Sequence, residues 1–194
     1  MTDNQDLKSF QRLVQKGKQT RKEPPIGDLF CLTLDPWETS HEFIWGRLIK
    51  KDCKQQGYPA WLVYIYNNTT STQTPPDREW KFEDLLIAPL LTAKTCWNTG
   101  MFKSSFISIL PLEDEMKRIH YHRHPGFAYK EFKDVCYDDD GNLVVLPTQG
   151  LIGSNGIHSR STLAWDIDHA LGRNNLYDYR ELERRYPNPN KTTN

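Results

Sequence analysis

Three closely spaced stretches, GDLFCLTL, HEFIWGRLI and WLVYIYN, lie between residues 27 and 67, each rich in β-branched and aromatic residues. In the first, Phe30, Leu32 and Leu34 alternate with Cys31 and Thr33, the period-two pattern of a half-buried strand. The connector DPWETS, which carries Trp37, is built from turn-forming residues. Three successive strands with short or moderate connections predict an antiparallel meander or a small barrel. Gly46, in the middle of the second strand, suits a bulge or a tight corner.

The flanking sequence adds helices to this β framework. Leu7, Phe10 and Leu13 or Val14 fall at helical spacing in DLKSFQRLVQK, and the basic KGKQTRKEPP that follows reads as a linker, ended by Pro24 and Pro25. NNTTSTQTPPDREW is polar enough to be an exposed loop, FEDLLIAPLLT a helical turn broken at Pro89, and FKSSFISIL a further strand. Asp140, Gly141 and Asn142 predict a hairpin between two strand-like runs. SRSTLAWDIDHALG reads as a helix capped by Ser159 or Ser161 and stopped at Gly172, with LYDYRELERRY as one more helix and PNPNKTTN as a disordered end. The expected class is therefore α+β: mainly an antiparallel twisted sheet or small barrel, with an N-terminal helix and one or two C-terminal helices. Residues 1–25 form the helix and basic linker, 26–172 one domain, and 173–194 an extension.

Charge narrows the range of partners. Lys plus Arg and Asp plus Glu both number 25, so no net field draws the whole surface to a polyanion or a membrane. No apolar run approaches the roughly 18 residues of a membrane span, and MTDNQDLKSFQRL lacks the layout of a signal peptide, so a cytoplasmic protein is expected. Cys31, Cys53, Cys96 and Cys136 form no CxxC pattern, which argues against a zinc knuckle or a redox motif.

The segment RIHYHRHPG places His120, His122 and His124 at every second position. On a strand, the three imidazoles would share one face at intervals of roughly 6–7 Å, a spacing compatible with metal ligation. Zinc needs three or four convergent ligands, and His158, Asp166, Asp168 or His169 would have to complete the set. No HExxH or comparable pattern does so, and exposed or hydrogen-bonded histidines are the expectation. GLIGSNG has neither the GxGxxG order nor the P-loop lysine and reads as a turn; no GxSxG occurs, and nothing in the sequence joins Cys31 or Cys96 to a histidine. No catalytic residue, metal ligand or cofactor is therefore assigned. Asp134, Asp138, Asp139 and Asp140 crowd the hairpin, and Glu113, Asp114 and Glu115 crowd the connector before the histidines. They are solvated turns or an acidic patch suited to a basic cleft on another protein.

Several of these segments, taken in order, resemble a known family. GDLFCLTL, GRLI, LVYIY, APLLT and CWNTGMF, and above all GIHSRSTLAWDIDHALG, resemble the immunity protein 26 family of bacterial polymorphic toxin systems. Gly27, Asp28, Gly46, Arg47, Tyr64, Pro89, Trp97, His158, Ser159 and Gly172 are among the matching positions, over about residues 26–172. Arg160 stands where that family tends to have an aromatic residue, and Ala164 and Trp165 replace a usually acidic pair. The resemblance implies a non-enzymatic cytoplasmic protein of mixed α and β structure that protects its producer by binding a cognate toxin. Matched glycines and aromatics then serve as scaffold, and partner contacts fall to Trp37, the 67–80 loop, His120, His122 and His124 on an exposed strand, and the hairpin tip Asp138, Asp139 and Asp140. Two alternatives compete with this reading. One is a small nucleic-acid-binding module using the basic 16–22 segment; the other is a metal-dependent hydrolase centred on the histidine strand. Neutral charge disfavours the first and missing ligands the second.

Overall fold

The computed structural model describes residues 24–33, 42–55, 57–97, 103–108, 113–124, 135–154 and 156–172. The expected N-terminal helix, Trp37 and the last helix expected from the sequence lie outside them. The fold is α+β, with two open, antiparallel-rich sheets and short helices; the described strands close no barrel.

Two long strands, β2 (Phe43–Gln55) and β3 (Tyr58–Thr70), form the centre of the larger sheet. Outside them lie β1 (Asp28–Thr33) and β5 (Lys103–Ser108) on one side, and β4 (Leu90–Thr92) and β10 (Ile157–His158) on the other, in the order β10-β4-β3-β2-β1-β5. All neighbours are antiparallel except β10 and β4. Residues 67–70, expected to belong to a loop, instead extend β3, because Thr70 and Thr69 pair with Phe43 and Ile44. Their polarity hid a strand whose partner supplies the apolar side chains.

Phe43–Ile49 and Ala60–Tyr66 are buried without interruption, so both faces of this sheet are covered. One face carries Phe30, Ile44, Leu48, Trp61, Val63, Ile65 and Trp97, on which Leu163 and Ile167 of a C-terminal helix pack. The opposite face carries Ile49, Cys53, Leu62, Tyr64, Tyr66 and Leu91. Trp80, arriving from the loop after β3, lies 4.9 Å from the Tyr66 ring and 6.2 Å from that of Trp45. The register shifts between Ile44 and Gly46, which makes Gly46 the expected bulge. A methyl group there would come within 2.4 Å of the Phe30 ring and 2.6 Å of the Tyr64 carbonyl oxygen.

Helices α1 (Lys94–Trp97) and α2 (Glu113–Lys117) are single turns, whereas α3 (Arg160–Ala170) is the helix expected from the sequence. Ser159 caps α3 by accepting from the Thr162 amide, and Gly172 ends it with φ of 71°. Residues 82–84 form a 3-10 turn before Pro89 and β4.

A smaller sheet contains β6 (Tyr121–His124), β7 (Val135–Tyr137), β8 (Leu143–Val144) and β9 (Ile152–Ser154), in the order β8-β7-β6-β9. The hairpin expected at Asp140-Gly141-Asn142 joins β7 to β8, with Gly141 at φ of 80°. β9 falls within the stretch expected to be a plain turn; it pairs in parallel with β6 through Tyr121 and Ile152. Only three residues after β9, β10 pairs in parallel with β4, so residues 152–158 place one strand in each sheet. A methyl group on Gly153 would lie 2.4 Å from the Pro89 carbonyl oxygen, which shows how closely this connection meets the larger sheet. No helix among the described residues is long and apolar enough to cross a membrane.

Candidate functional site

The histidine segment does form a strand, β6, but His120 and His122 are 2% and 0% exposed. The expectation of an exposed histidine strand is corrected for these two residues. Their partner is Asp139, which the sequence places in an exposed acidic tip but which is only 4% exposed. The cause is the geometry of the hairpin. Asp138 uses its side chain to close the turn, with Oδ1 accepting from the Asp140 and Asn142 amides at 3.0 and 2.8 Å and Oδ2 accepting from Asn142 Nδ2 at 3.0 Å. The turn docks on β2, where the Lys54 amide donates to the Asp139 carbonyl oxygen at 2.8 Å, and the Asp139 side chain faces inward. Asp140 alone of the three aspartates is exposed. Of His124, only the backbone, paired with Val135, is described.

Asp139 receives donors from two elements. His120 Nδ1 and Lys50 Nζ each lie 2.7 Å from Oδ2, and His122 Nε2 lies 3.1 Å from Oδ1. Burial by itself would raise this carboxyl group, but the hydrogen bonds from His120 and His122, the charge beside it and the Lys50 bond outweigh burial and hold it well below the usual carboxylate range. Asp139 is thus an ionised acceptor, and the ring nitrogens facing it are donors.

The network continues outward from His120. Its Nε2 lies 2.5 Å from the Tyr64 hydroxyl oxygen, which is also 2.9 Å from Glu115 Oε2. Arg118 Nε donates to the same Glu115 oxygen at 3.1 Å, and the Arg118 guanidinium lies over the Phe82 ring at 4.1 Å. Lys50 Nζ also donates to the Arg118 carbonyl at 3.0 Å, tying the end of α2 to the sheet. Tyr64 is fully buried; desolvation and the neighbouring Glu115 carboxylate push its hydroxyl far above the ordinary tyrosine value, so it remains protonated. From the sequence Tyr64 reads as scaffold and Glu115 as part of an acidic connector, and Lys50 carries no signal; each stands in a different segment with no motif to connect them.

The other residues weighed as metal ligands do not join this cluster. His158 Nε2 pairs with Asp166 Oδ2 at 2.8 Å and His158 Nδ1 donates to the Leu91 carbonyl at 3.1 Å, an arrangement that fastens α3 to β4. Asp168 is buried and His169 exposed. Among the described residues, no group of three or more His, Cys, Asp or Glu side chains is placed to hold a metal ion. Cys31, Cys53, Cys96 and Cys136 form no disulfide and are buried, as small core side chains.

No family model, curated protein or solved structure matches this chain.

What the arrangement can do follows from its burial. His120, His122, Asp139 and Tyr64 present no open face to a substrate, so their chemistry is directed at one another. Around them the surface is mixed. Met116 and Ile119 are 41% and 60% exposed, on either side of Lys117 and Arg118, and the hairpin tip contributes Asp140. This is a small ridge of apolar side chains among charges of both signs, over a buried hydrogen-bonded network.

Proposed function

We propose that this protein is a cytoplasmic immunity protein that neutralises a cognate bacterial toxin by direct, stoichiometric binding, without catalysis, covering the toxin's active site or substrate groove. The observation that supports this reading is the pairing of His120 and His122 with Asp139 in the interior, which leaves the α2 ridge beside them as a contact surface. The family resemblance of the sequence points the same way. Apolar anchors surrounded by charge suit a protein partner, since the anchors supply affinity and the charges supply specificity and association rate. In this reading the contact set is Met116, Ile119, Arg118 and Asp140, in place of His120, His122 and Asp139.

Calorimetric titration into the isolated C-terminal domain of a candidate toxin, with toxin activity assayed on the same samples, tests the proposal. One-to-one binding in the nanomolar range with matching loss of activity is the expected outcome. Absence of both heat and inhibition would overturn it for that pair.

A further inference from the structure

The buried network does not balance its protons if every group has its ordinary charge. Between Asp139 and Glu115 run three contacts: Asp139 to His120 Nδ1, His120 Nε2 to the Tyr64 hydroxyl, and the Tyr64 hydroxyl to Glu115. Each needs a proton. A neutral imidazole brings one and a tyrosine hydroxyl brings one, while ionised carboxylates only accept. The third proton resides either on His120, making it an imidazolium that donates to Tyr64, or on Glu115, making it an acid that donates to Tyr64 while Tyr64 donates to His120.

Among the described residues, the surrounding groups leave no other place for it. On β2, Lys50 bonds the Asp139 carboxylate, and the Cys53 thiol is pushed up to about 12, chiefly by burial, so it stays neutral. On β3, Tyr66 is likewise raised to about 12 by burial, against the opposing effect of the Arg47 guanidinium beside it. On β6, His122 Nε2 is committed to Asp139 Oδ1, and its Nδ1 is buried without a hydrogen-bond partner among the described residues, where a further proton would be left unsatisfied. Asp140 on the turn is exposed, and Arg118 is a permanent cation already bonded to Glu115.

We propose that Glu115, Tyr64 and His120 hold one extra proton in common, and that this proton fastens the α2 ridge to the sheet as a pH-sensitive latch. Tyr64 is the bridge through which the proton passes between the part-exposed carboxyl group and the buried imidazole. While it is present, all three contacts are made. When rising pH removes it, the Glu115 carboxylate and the bare His120 Nε2 compete for the single Tyr64 proton, and one contact is lost. If Glu115 loses, the α2 segment gives up its bond to Tyr64, while the Lys50 bond to the Arg118 carbonyl and the Arg118 contact with Phe82 remain. Met116 and Ile119 then move with it.

Nuclear magnetic resonance on the labelled full chain tests this, by reading the His120 ring nitrogens and the Glu115 carboxyl carbon together, with the Met116 and Ile119 methyl signals as reporters of the ridge. At neutral pH the expected sum is one proton over His120 Nε2 and Glu115. Raising the pH should remove it and shift the methyl signals in step. In Glu115→Gln the amide can donate to Tyr64, so the His120 ring should carry a single proton at neutral pH. In Tyr64→Phe the ridge methyls should no longer follow His120. Unchanged His158 ring signals would show that each variant is folded. A singly protonated His120 beside an ionised Glu115 at neutral pH would overturn the proposal, as would ridge methyls indifferent to the protonation of His120.

Discussion

Asp139 shows how one side chain changes character with its direction. Within DDD it reads as a solvated turn residue, and its two neighbours meet that description: Asp138 closes the turn and Asp140 faces solvent. Strand periodicity places His120 and His122 on one face, yet it says nothing of which face, and no local pattern says that a carboxylate 17 residues beyond His122 returns to meet it. Because the native state holds the Asp139 carboxyl group low, its contribution to stability is present above the ordinary carboxylate range and is lost as pH falls through the native value. Stability should therefore decline on acidification below about pH 4. Asp139→Asn should cost about 3–5 kcal/mol at neutral pH, since it leaves Lys50 and two imidazoles around a neutral amide, and should flatten the acid limb. Urea unfolding of both proteins across acid and neutral pH measures both effects.

At the scale of elements, legibility followed local pattern. β1, the first half of β2, the centre of β3 and helix α3 carry strong periodicity or caps, and the structure has them where the sequence puts them. The ends of the long hairpin were not legible, because Lys50–Gln55 and Asn67–Thr70 are polar and owe their strand conformation to pairing across the hairpin. β9 and β10 were hidden for a different reason: three and two residues are too few to show a period, and both are held by parallel partners far away in sequence. Gly46 was legible as a bulge, although the need for it lies in the Phe30 ring and Tyr64 backbone that occupy the space of a methyl group. Gly46→Ala should consequently destabilise the protein by about 1–3 kcal/mol, read as a lowered urea midpoint with an unchanged m-value. An unaltered midpoint would show that β1 and β3 can separate without cost.

Across the whole molecule, the four reduced cysteines sample separate regions. Cys31 lies on β1, Cys53 on β2, Cys96 on α1 and Cys136 in the smaller sheet, and all are buried. A thiol reagent should find none of them quickly in the native protein and all four on denaturation, with labelling rates set by opening of the fold rather than by thiol chemistry. Rapid labelling of Cys136 alone would mean that the smaller sheet opens independently. Residues 152–158 bear on that cooperativity, since they supply the last strand of each sheet from one short segment. Their position also sets an order of events during synthesis. Until residue 158 has left the ribosome, β6 and β4 each present an open edge to other chains, and the segment that supplies a strand to both sheets is not yet in place. The nascent protein is thus exposed to mispairing at both edges until this one segment emerges.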